Sequence, residues 1–195
     1  MCHSLGMAAV ETERAAPGAP VATLLPGRGY GPQAPLLYYS RLLLRSRGWA
    51  VRTVRWEQVP GFDPTDHPAI AAYAREALAT ADPARDVVVG KSLGSLALPA
   101  AAERGLPGIW LTPLLAIEDV RRAAARAAGT ALLIGGTADP YWDAGAAAAT
   151  GAEVFEVPGA DHSLERPGDL DTTLAVHSAV LTRIAARLDA LAARA

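Results

Sequence analysis

The sequence has one cysteine and almost no net charge. Cys2 is the single cysteine among 195 residues, which excludes an internal disulfide and a cysteine-based zinc site within one chain. The 18 basic and 20 acidic residues nearly cancel, and the isoelectric point is near 6.1, whereas nucleic-acid-binding domains are usually strongly basic. We therefore expect no nucleic-acid partner.

Long hydrophobic runs are also missing. No stretch approaches the roughly 20 unbroken apolar residues of a membrane-spanning helix. The first twenty residues lack the basic start, the apolar core and the cleavage site of a secretory signal. We therefore expect a cytoplasmic protein without a membrane partner. Hydrophobic residues still make up 51% of the chain and charged residues 19%, a composition that excludes a largely disordered protein.

The length predicts one domain, since domains average about 150 residues. We predict residues 1–20 to be a flexible N-terminal segment, because it ends in a stretch of alanine, glycine and proline, and residues 21–195 to be a single domain. Short apolar runs bounded by glycine or proline predict strands at Val21–Leu25, Ala50–Trp56, Asp86–Val89, Gly108–Leu111, Thr130–Ile134 and Glu153–Val157. Helical patterns between them predict helices at Pro35–Arg47, Pro68–Thr80, Ser92–Arg104, Ile117–Ala128, Ala144–Thr150 and Leu170–Ala193.

Six strands that alternate with six helices predict an α/β protein. The strands are apolar along most of their length, which is typical of a parallel sheet covered on both faces. The expected architecture is a three-layer α/β/α sandwich around a six-stranded, mostly parallel sheet. In such sheets the loops at the carboxyl ends of the strands carry the chemistry.

The motif Gly-x-Ser-x-Gly places Ser92 between Gly90 and Gly94. A predicted strand enters this motif and a predicted helix leaves it, which is the context of a nucleophile elbow. An ordinary glycine-bounded turn is the alternative. A phosphate-binding loop is excluded, although Lys91 and Ser92 resemble its end, because Arg85 stands where that loop needs a glycine.

A serine hydroxyl needs a base to remove its proton, and a histidine held by a carboxylate is the usual base. His162 lies in a glycine-rich loop after the last predicted strand, at the edge where parallel sheets carry their sites. The other histidines lie in the N-terminal segment, at the start of a helix, and on the expected polar face of the last helix: His3, His67 and His177.

The best candidate for the carboxylate is Asp139. It follows the fifth predicted strand and stands between Ser92 and His162 in chain order, as the carboxylate of an elbow-type triad does. Asp143 and Asp161 are rivals, but the first resembles a helix cap and the second is very close to His162 in sequence. A simple turn role for Asp139 is the remaining alternative.

Acyl transfer also requires N–H groups that stabilise the oxyanion. The first donor is expected from Leu93, the residue after the nucleophile, and the second from the loop after the first strand. That loop contains three glycines between Pro26 and Gly31, and we assign the second donor to the backbone of Arg28. A plain glycine-rich turn would look the same.

Together these motifs resemble the α/β-hydrolase superfamily. From Val21 onward the chain is similar to small bacterial members of the dienelactone-hydrolase-like and short-chain esterase types. Dienelactone hydrolases carry a cysteine in place of Ser92, so their substrate does not transfer. The segments that carry the resemblance follow separate predicted strands in the order of the superfamily: Pro26–Gly29, Gly90–Gly94, Gly136–Asp139 and Gly159–His162.

The resemblance implies a minimal α/β-hydrolase fold with strand order 2-1-3-4-5-6. Many members insert a lid domain where this chain has only Thr112–Gly129, a segment with room for one helix. The two antiparallel strands that begin the superfamily's fold are missing here or confined to the first twenty residues. A lid-less protein with an open site is therefore expected.

The resemblance further implies a serine hydrolase that cleaves a small ester or thioester through an acyl-enzyme, with no metal and no organic cofactor. Ser92 would attack, His162 would move the proton and Asp139 would orient the imidazole. A non-catalytic binding or scaffold protein on the same fold, and an acyltransferase or perhydrolase with the same triad, are the alternatives. Substrate identity and oligomeric state stay open. Candidates for the substrate pocket, each equally compatible with the core, are Tyr30, Leu114, Tyr141 and Trp142.

Overall fold

A computed structural model describes residues 10–13 and 15–193 of the chain, and its centre is a seven-stranded sheet. The strands are β1 (Val10–Thr12), β2 (Val21–Leu25), β3 (Ala50–Val54), β4 (Val87–Lys91), β5 (Gly108–Leu111), β6 (Ala131–Gly136) and β7 (Glu153–Val157). The α-helices of the described residues are α1 (Pro35–Ser46), α2 (His67–Ala77), α3 (Leu98–Glu103), α4 (Glu118–Arg126), α5 (Ala144–Ala149) and α6 (Leu170–Ala192). Short 3₁₀ helices span Trp56–Gln58 and Ser92–Ala97.

The sheet order is β1-β3-β2-β4-β5-β6-β7, and β2 to β7 pair in parallel. Side chains alternate between two buried clusters: Val88 packs on one face, with α2 to α5, while Val87 and Val89 pack on the other, with α1 and α6. Because both faces are covered, the strands are apolar throughout rather than alternating. The predicted three-layer sandwich and the order of its six parallel strands are confirmed.

The sheet has one strand more than the sequence predicts. β1 pairs antiparallel with β3, with Val10 opposite Val54, and ion pairs from Glu11 to Arg55 and from Glu13 to Arg41 hold it there. This strand lies inside the segment for which we expected no regular structure, because three residues are too few for a periodic pattern. The rest of the predicted flexible segment that falls on residues 1–9 and 14 lies outside the described residues.

The helix predicted at Ser92–Arg104 is divided. A 3₁₀ helix follows the nucleophile motif, and α3 begins only at Leu98, with Pro99 in its first turn. Proline has no N–H to donate, so it is tolerated in a first turn but not within a helix. Pro99 therefore starts the α-helix instead of kinking a longer one.

The 3₁₀ helix packs directly on the sheet because Gly94 has no side chain. A Cβ at Gly94 would lie 2.1 Å from the carbonyl oxygen of Leu25, at the end of β2. This approach brings the turn after β4 against the loop after β2. Both segments lie at the carboxyl edge of the parallel strands, where the site is expected.

We expect Gly94→Ala to destabilise the protein, because a backbone carbonyl blocks the added methyl group. Overpacking typically costs about 1–3 kcal/mol, occasionally more. The matched control is Gly129→Ala, where a Cβ meets nothing within 4 Å and we expect a change within about 0.5 kcal/mol. Urea unfolding of both variants measures the difference, and equal midpoints would contradict this account of the packing.

Candidate active site

Ser92 lies at a strained turn between β4 and the 3₁₀ helix. Its φ is +49°, a left-handed conformation that costs a non-glycine residue of order 1–3 kcal/mol and clusters at functional sites. Gly90 is required on the strand side, since a Cβ there would lie 2.6 Å from the ring of Trp110. The Ser92 side chain ends at the surface of the sheet edge, with the residue 9% exposed.

The structure brings the three predicted triad residues together. His162 Nε2 lies 2.8 Å from Ser92 Oγ, and His162 Nδ1 lies 2.7 Å from Asp139 Oδ2. These residues follow three different strands, β4, β6 and β7, which end at the same edge of the sheet. Ser92 and His162 are 70 positions apart in the chain, and the parallel pairing of the strands brings them together.

The environment of Asp139 fixes the direction of these hydrogen bonds. The residue is 4% exposed, and its second oxygen accepts the Tyr141 N–H at 2.8 Å. In a Ser-His-Asp triad a carboxylate in this position accepts a hydrogen bond from the Nδ1–H of the histidine. Nε2 is then the free acceptor facing the Ser92 hydroxyl, which is the arrangement that a general base requires.

The rival carboxylates have other partners. Asp143 caps α5 by accepting the Ala146 N–H at 2.8 Å. Asp161 accepts the N–H groups of Ser163 and Glu165 and thereby folds the loop that carries the neighbouring histidine. Asp161 therefore shapes the loop, while Asp139 reaches the imidazole.

The expectation that His177 lies on a polar face is wrong. The residue is buried in α6, and this burial lowers its pKa. Its Nε2 has no hydrogen-bond partner among the described residues. His67 begins α2, far from Ser92 in the chain, and His3 lies outside the described residues, so His162 is the histidine at the serine.

The loop after β2 lies against the nucleophile. A Cβ at Gly27 would be 3.2 Å from the Cβ of Ser92, and the Gly27 N–H donates to the carbonyl of Tyr30 at 3.1 Å. Trp56 Nε1 donates to the carbonyl of Pro26 at 2.8 Å and fixes the other end of this loop. Arg28 follows Gly27 directly, and Leu93 follows Ser92, so both predicted oxyanion donors lie close to Ser92 in the chain or across the loop. Their roles remain predictions.

Two of the four pocket candidates surround the triad. Tyr141 is 60% exposed and its ring lies edge-on to His162 with 5.1 Å between centroids. The half-buried Tyr30 closes the β2 loop, and its hydroxyl accepts the Leu36 N–H at 3.1 Å. Both positions suit a wall of the site.

The other two candidates contact the 3₁₀ helix after Ser92 and the strands β6 and β7. Leu114 is half-buried after β5, and its N–H donates to Ser95 Oγ at 3.0 Å. Trp142 packs on Gly135 of β6 and donates to Glu156 at 2.8 Å. Trp142 is thus partly a core residue, the alternative that the sequence left open.

A cleft beside the loop after β2 was missed from the sequence. Its volume is about 360 Å³, and its walls are Pro26–Gly29, Gly31, Trp56, Phe62 and Pro64. The sequence places Trp56 inside a strand, but β3 ends at Val54 and the indole turns to stack on Phe62. The sequence signal for this cleft was the position of Trp56 at the carboxyl end of the predicted strand Ala50–Trp56.

Within residues 10–13 and 15–193, no three His, Cys, Asp or Glu side chains are grouped so that they could hold a metal ion. In the same residues no helix is both long enough and apolar enough to span a membrane.

No protein-family model matches the chain, and no curated protein matches its sequence. Solved structures match in fold. An α/β serine hydrolase without lid from Xanthomonas campestris is 19% identical, with a TM-score of 0.57 over 89% of this chain and 86% of that one. A predicted CIB-like hydrolase from Thermoplasma acidophilum is 17% identical, with a TM-score of 0.63 over 90% of this chain and 91% of that one. Dienelactone hydrolase from Anabaena variabilis is 19% identical, with a TM-score of 0.61 over 92% of this chain and 94% of that one. The chain therefore has the α/β-hydrolase fold.

The buried His177 makes stability depend on pH. Its pKa is lowered in the folded protein, so below about 6.5 the unfolded chain binds a proton that the folded chain resists. The free energy of unfolding should therefore fall as the pH drops through this range. We expect His177→Gln to reduce this slope. Urea unfolding between pH 8 and 5, in steps of about one pH unit, measures the pH dependence of the free energy of unfolding. An unaltered slope in His177→Gln would show that His177 is not its source.

Proposed function

We propose that the chain is a serine hydrolase that cleaves a small ester or thioester through an acyl-enzyme intermediate. The observation that carries this proposal is the hydrogen-bonded series Ser92–His162–Asp139, formed at a strained turn of an α/β-hydrolase fold. A strained, non-glycine residue supports a functional role because ordinary turns place glycine there. An ordinary turn also needs no base beside its serine.

In the proposed reaction Ser92 Oγ attacks the carbonyl carbon while His162 Nε2 takes the hydroxyl proton. Asp139 keeps the imidazole in the required tautomer and stabilises the imidazolium that forms. The N–H groups of Arg28 and Leu93 stabilise the oxyanion of the tetrahedral intermediate. His162 then gives its proton to the leaving alcohol or thiol, and the acyl-enzyme remains.

Hydrolysis requires water to reach the acyl group. The His162 side chain is 30% exposed and Tyr141 beside it is more exposed still, so water has access to the base. This access supports a hydrolase rather than an acyltransferase, which must keep water away from its intermediate. The proposed chemistry uses no metal and no organic cofactor.

The absence of an inserted lid supports a small substrate. Between β5 and β6 the described chain contains a single α-helix, α4, so nothing inserted there covers the triad. Long acyl chains gain affinity only where apolar surface encloses them. The cleft beside Pro26–Gly31, walled by Trp56 and Phe62, is the proposed place for a short acyl or alcohol group.

We expect Ser92→Ala to abolish hydrolysis of p-nitrophenyl acetate while the protein stays folded. Loss of a triad nucleophile costs on the order of a million-fold in kcat in other serine hydrolases. Covalent labelling by a fluorophosphonate, which needs an activated serine, should disappear in the same variant. Stopped assays, intact-protein mass spectrometry and circular dichroism provide the three measurements.

The control is Ser163→Ala, which removes a hydroxyl from the residue next to the base and leaves the triad intact. It should retain labelling and activity within about tenfold, an effect no larger than about 1.4 kcal/mol. If the unmodified protein is never labelled, the scaffold alternative is correct. If Ser92→Ala keeps activity within tenfold, the nucleophile assignment is wrong.

The open cleft predicts a preference for short acyl chains. Each buried methylene contributes about 0.8 kcal/mol, and carbons that extend into water contribute nothing. In a series of p-nitrophenyl esters from acetate to palmitate, kcat/KM should stop rising after a few carbons. No interfacial activation is expected without a lid to open. A steady rise to the longest chain would reveal a deep acyl tunnel and contradict the open cleft.

A further inference from the structure

The only lysine of the chain is buried at the site. Lys91 precedes Ser92, and all other basic residues among the 18 are arginine. Lys91 is 1% exposed, although burying an ammonium group is costly unless its donors are satisfied. A methionine would fill a similar volume without that cost, so the charged group itself needs an explanation.

The ammonium group has three contacts. Lys91 Nζ donates to Thr112 Oγ1 at 2.5 Å and to the backbone carbonyl of His162 at 2.7 Å. It also lies 4.9 Å from the centroid of the Tyr30 ring, within the range of a cation–π interaction. An ammonium has three N–H donors, and each has a partner here.

These contacts join the segments that carry the site. Thr112 begins the turn after β5, His162 lies in the loop after β7, and Tyr30 closes the β2 loop beside the nucleophile. Thr112 has a φ of +44° and Ser92 a φ of +49°. Such conformations persist in non-glycine residues only where the surroundings fix them, and Lys91 is bonded to one of these residues and joined covalently to the other.

We propose that Lys91 is a positioning residue, whose ammonium group holds the main chain of His162 so that the imidazole stays between Ser92 and Asp139. Its Nζ bonds the carbonyl of the histidine rather than the reacting atoms, so it acts through His162. This inference rests on the proposed hydrolase function. It assigns to the second residue of the Gly-x-Ser-x-Gly motif a role that the sequence alone does not reveal.

The surrounding charges keep the group protonated near neutral pH. Burial lowers the pKa of Lys91 to about 8, while Asp139, Asp161 and Glu165 oppose that shift. The other titratable groups facing it are the His162 imidazole and Tyr30, whose pKa burial raises to about 12. Above about pH 8 the neutral amine keeps two N–H donors but loses its charge, so both hydrogen bonds weaken and the cation–π contact with Tyr30 is lost.

The test compares Lys91→Met with the matched control Thr112→Val. Thr112→Val removes one acceptor of the ammonium group but leaves the bond to His162, so we expect kcat to fall by less than about tenfold, which corresponds to about 1.4 kcal/mol. Lys91→Met removes the bond to His162, and misplacement of a reacting group by about 1 Å costs roughly 100-fold. KM should stay unchanged in both, because the bound substrate does not touch the lysine.

Two further measurements distinguish positioning from simple structural support. The rate of the unmodified protein should decline above about pH 8, and Lys91→Met should lack this decline. The downfield proton resonance of His162 Nδ1, hydrogen-bonded to Asp139, should be present in the unmodified protein and in Thr112→Val but shifted or lost in Lys91→Met. Circular dichroism checks that the variant is folded.

The outcomes separate the two proposals. If the unmodified protein is inert but Lys91→Met loses the Nδ1 resonance, the positioning role stands and the hydrolase function fails. If the unmodified protein is active and Lys91→Met keeps its kcat and resonance, the positioning role is refuted alone. A variant with unchanged resonance and a lowered unfolding temperature would also refute it, since the lysine would then be structural support only.

Discussion

The close approach of three backbones at Ser92 is the constraint on which the site depends. β4 must turn sharply into the 3₁₀ helix, and this helix must lie almost in contact with the end of β2. Gly90 and Gly94 make both approaches possible, since a Cβ at either position would overlap Trp110 or the Leu25 carbonyl. A side chain at either glycine would move the serine away from the sheet edge where the other two triad residues lie.

Parallel pairing then determines which residues meet. The strands β4, β5, β6 and β7 are neighbours in this order. The loops that follow β4, β6 and β7 therefore start from the same edge of the sheet. Asp139 and His162 begin their loops at neighbouring strands, and one hydrogen bond each joins them in series to the serine. The three residues therefore meet because each follows a strand that ends at this edge.

Strain and charge are concentrated in the same place. Ser92, Thr112 and Leu164 are the non-glycine residues with positive φ among those the structure describes, and each follows a strand that ends at the site. The buried ammonium of Lys91 lies among them. Hydrogen bonds hold the loops of the site in place, while the cleft beside them is open to water. Fixed geometry together with access for water suits the hydrolysis of a small substrate, which is the proposed reaction.

The sequence by itself determined the layers and the positions of Ser92, Asp139 and His162, because glycine-bounded apolar runs and loops directly after strands are local patterns. The order of the parallel strands followed only from the resemblance to the α/β-hydrolase superfamily. The tertiary structure decided what local patterns cannot contain. β1 is three residues long and exists only by pairing with β3, and His177 became buried because α6 packs on α1 and the sheet. Trp56 lies beyond the end of β3, and its indole N–H holds the loop after β2 at Pro26. The partners of Lys91 are 21 and 71 residues away in the chain, so only folding could show that this lysine faces inward, to the loop that carries the base.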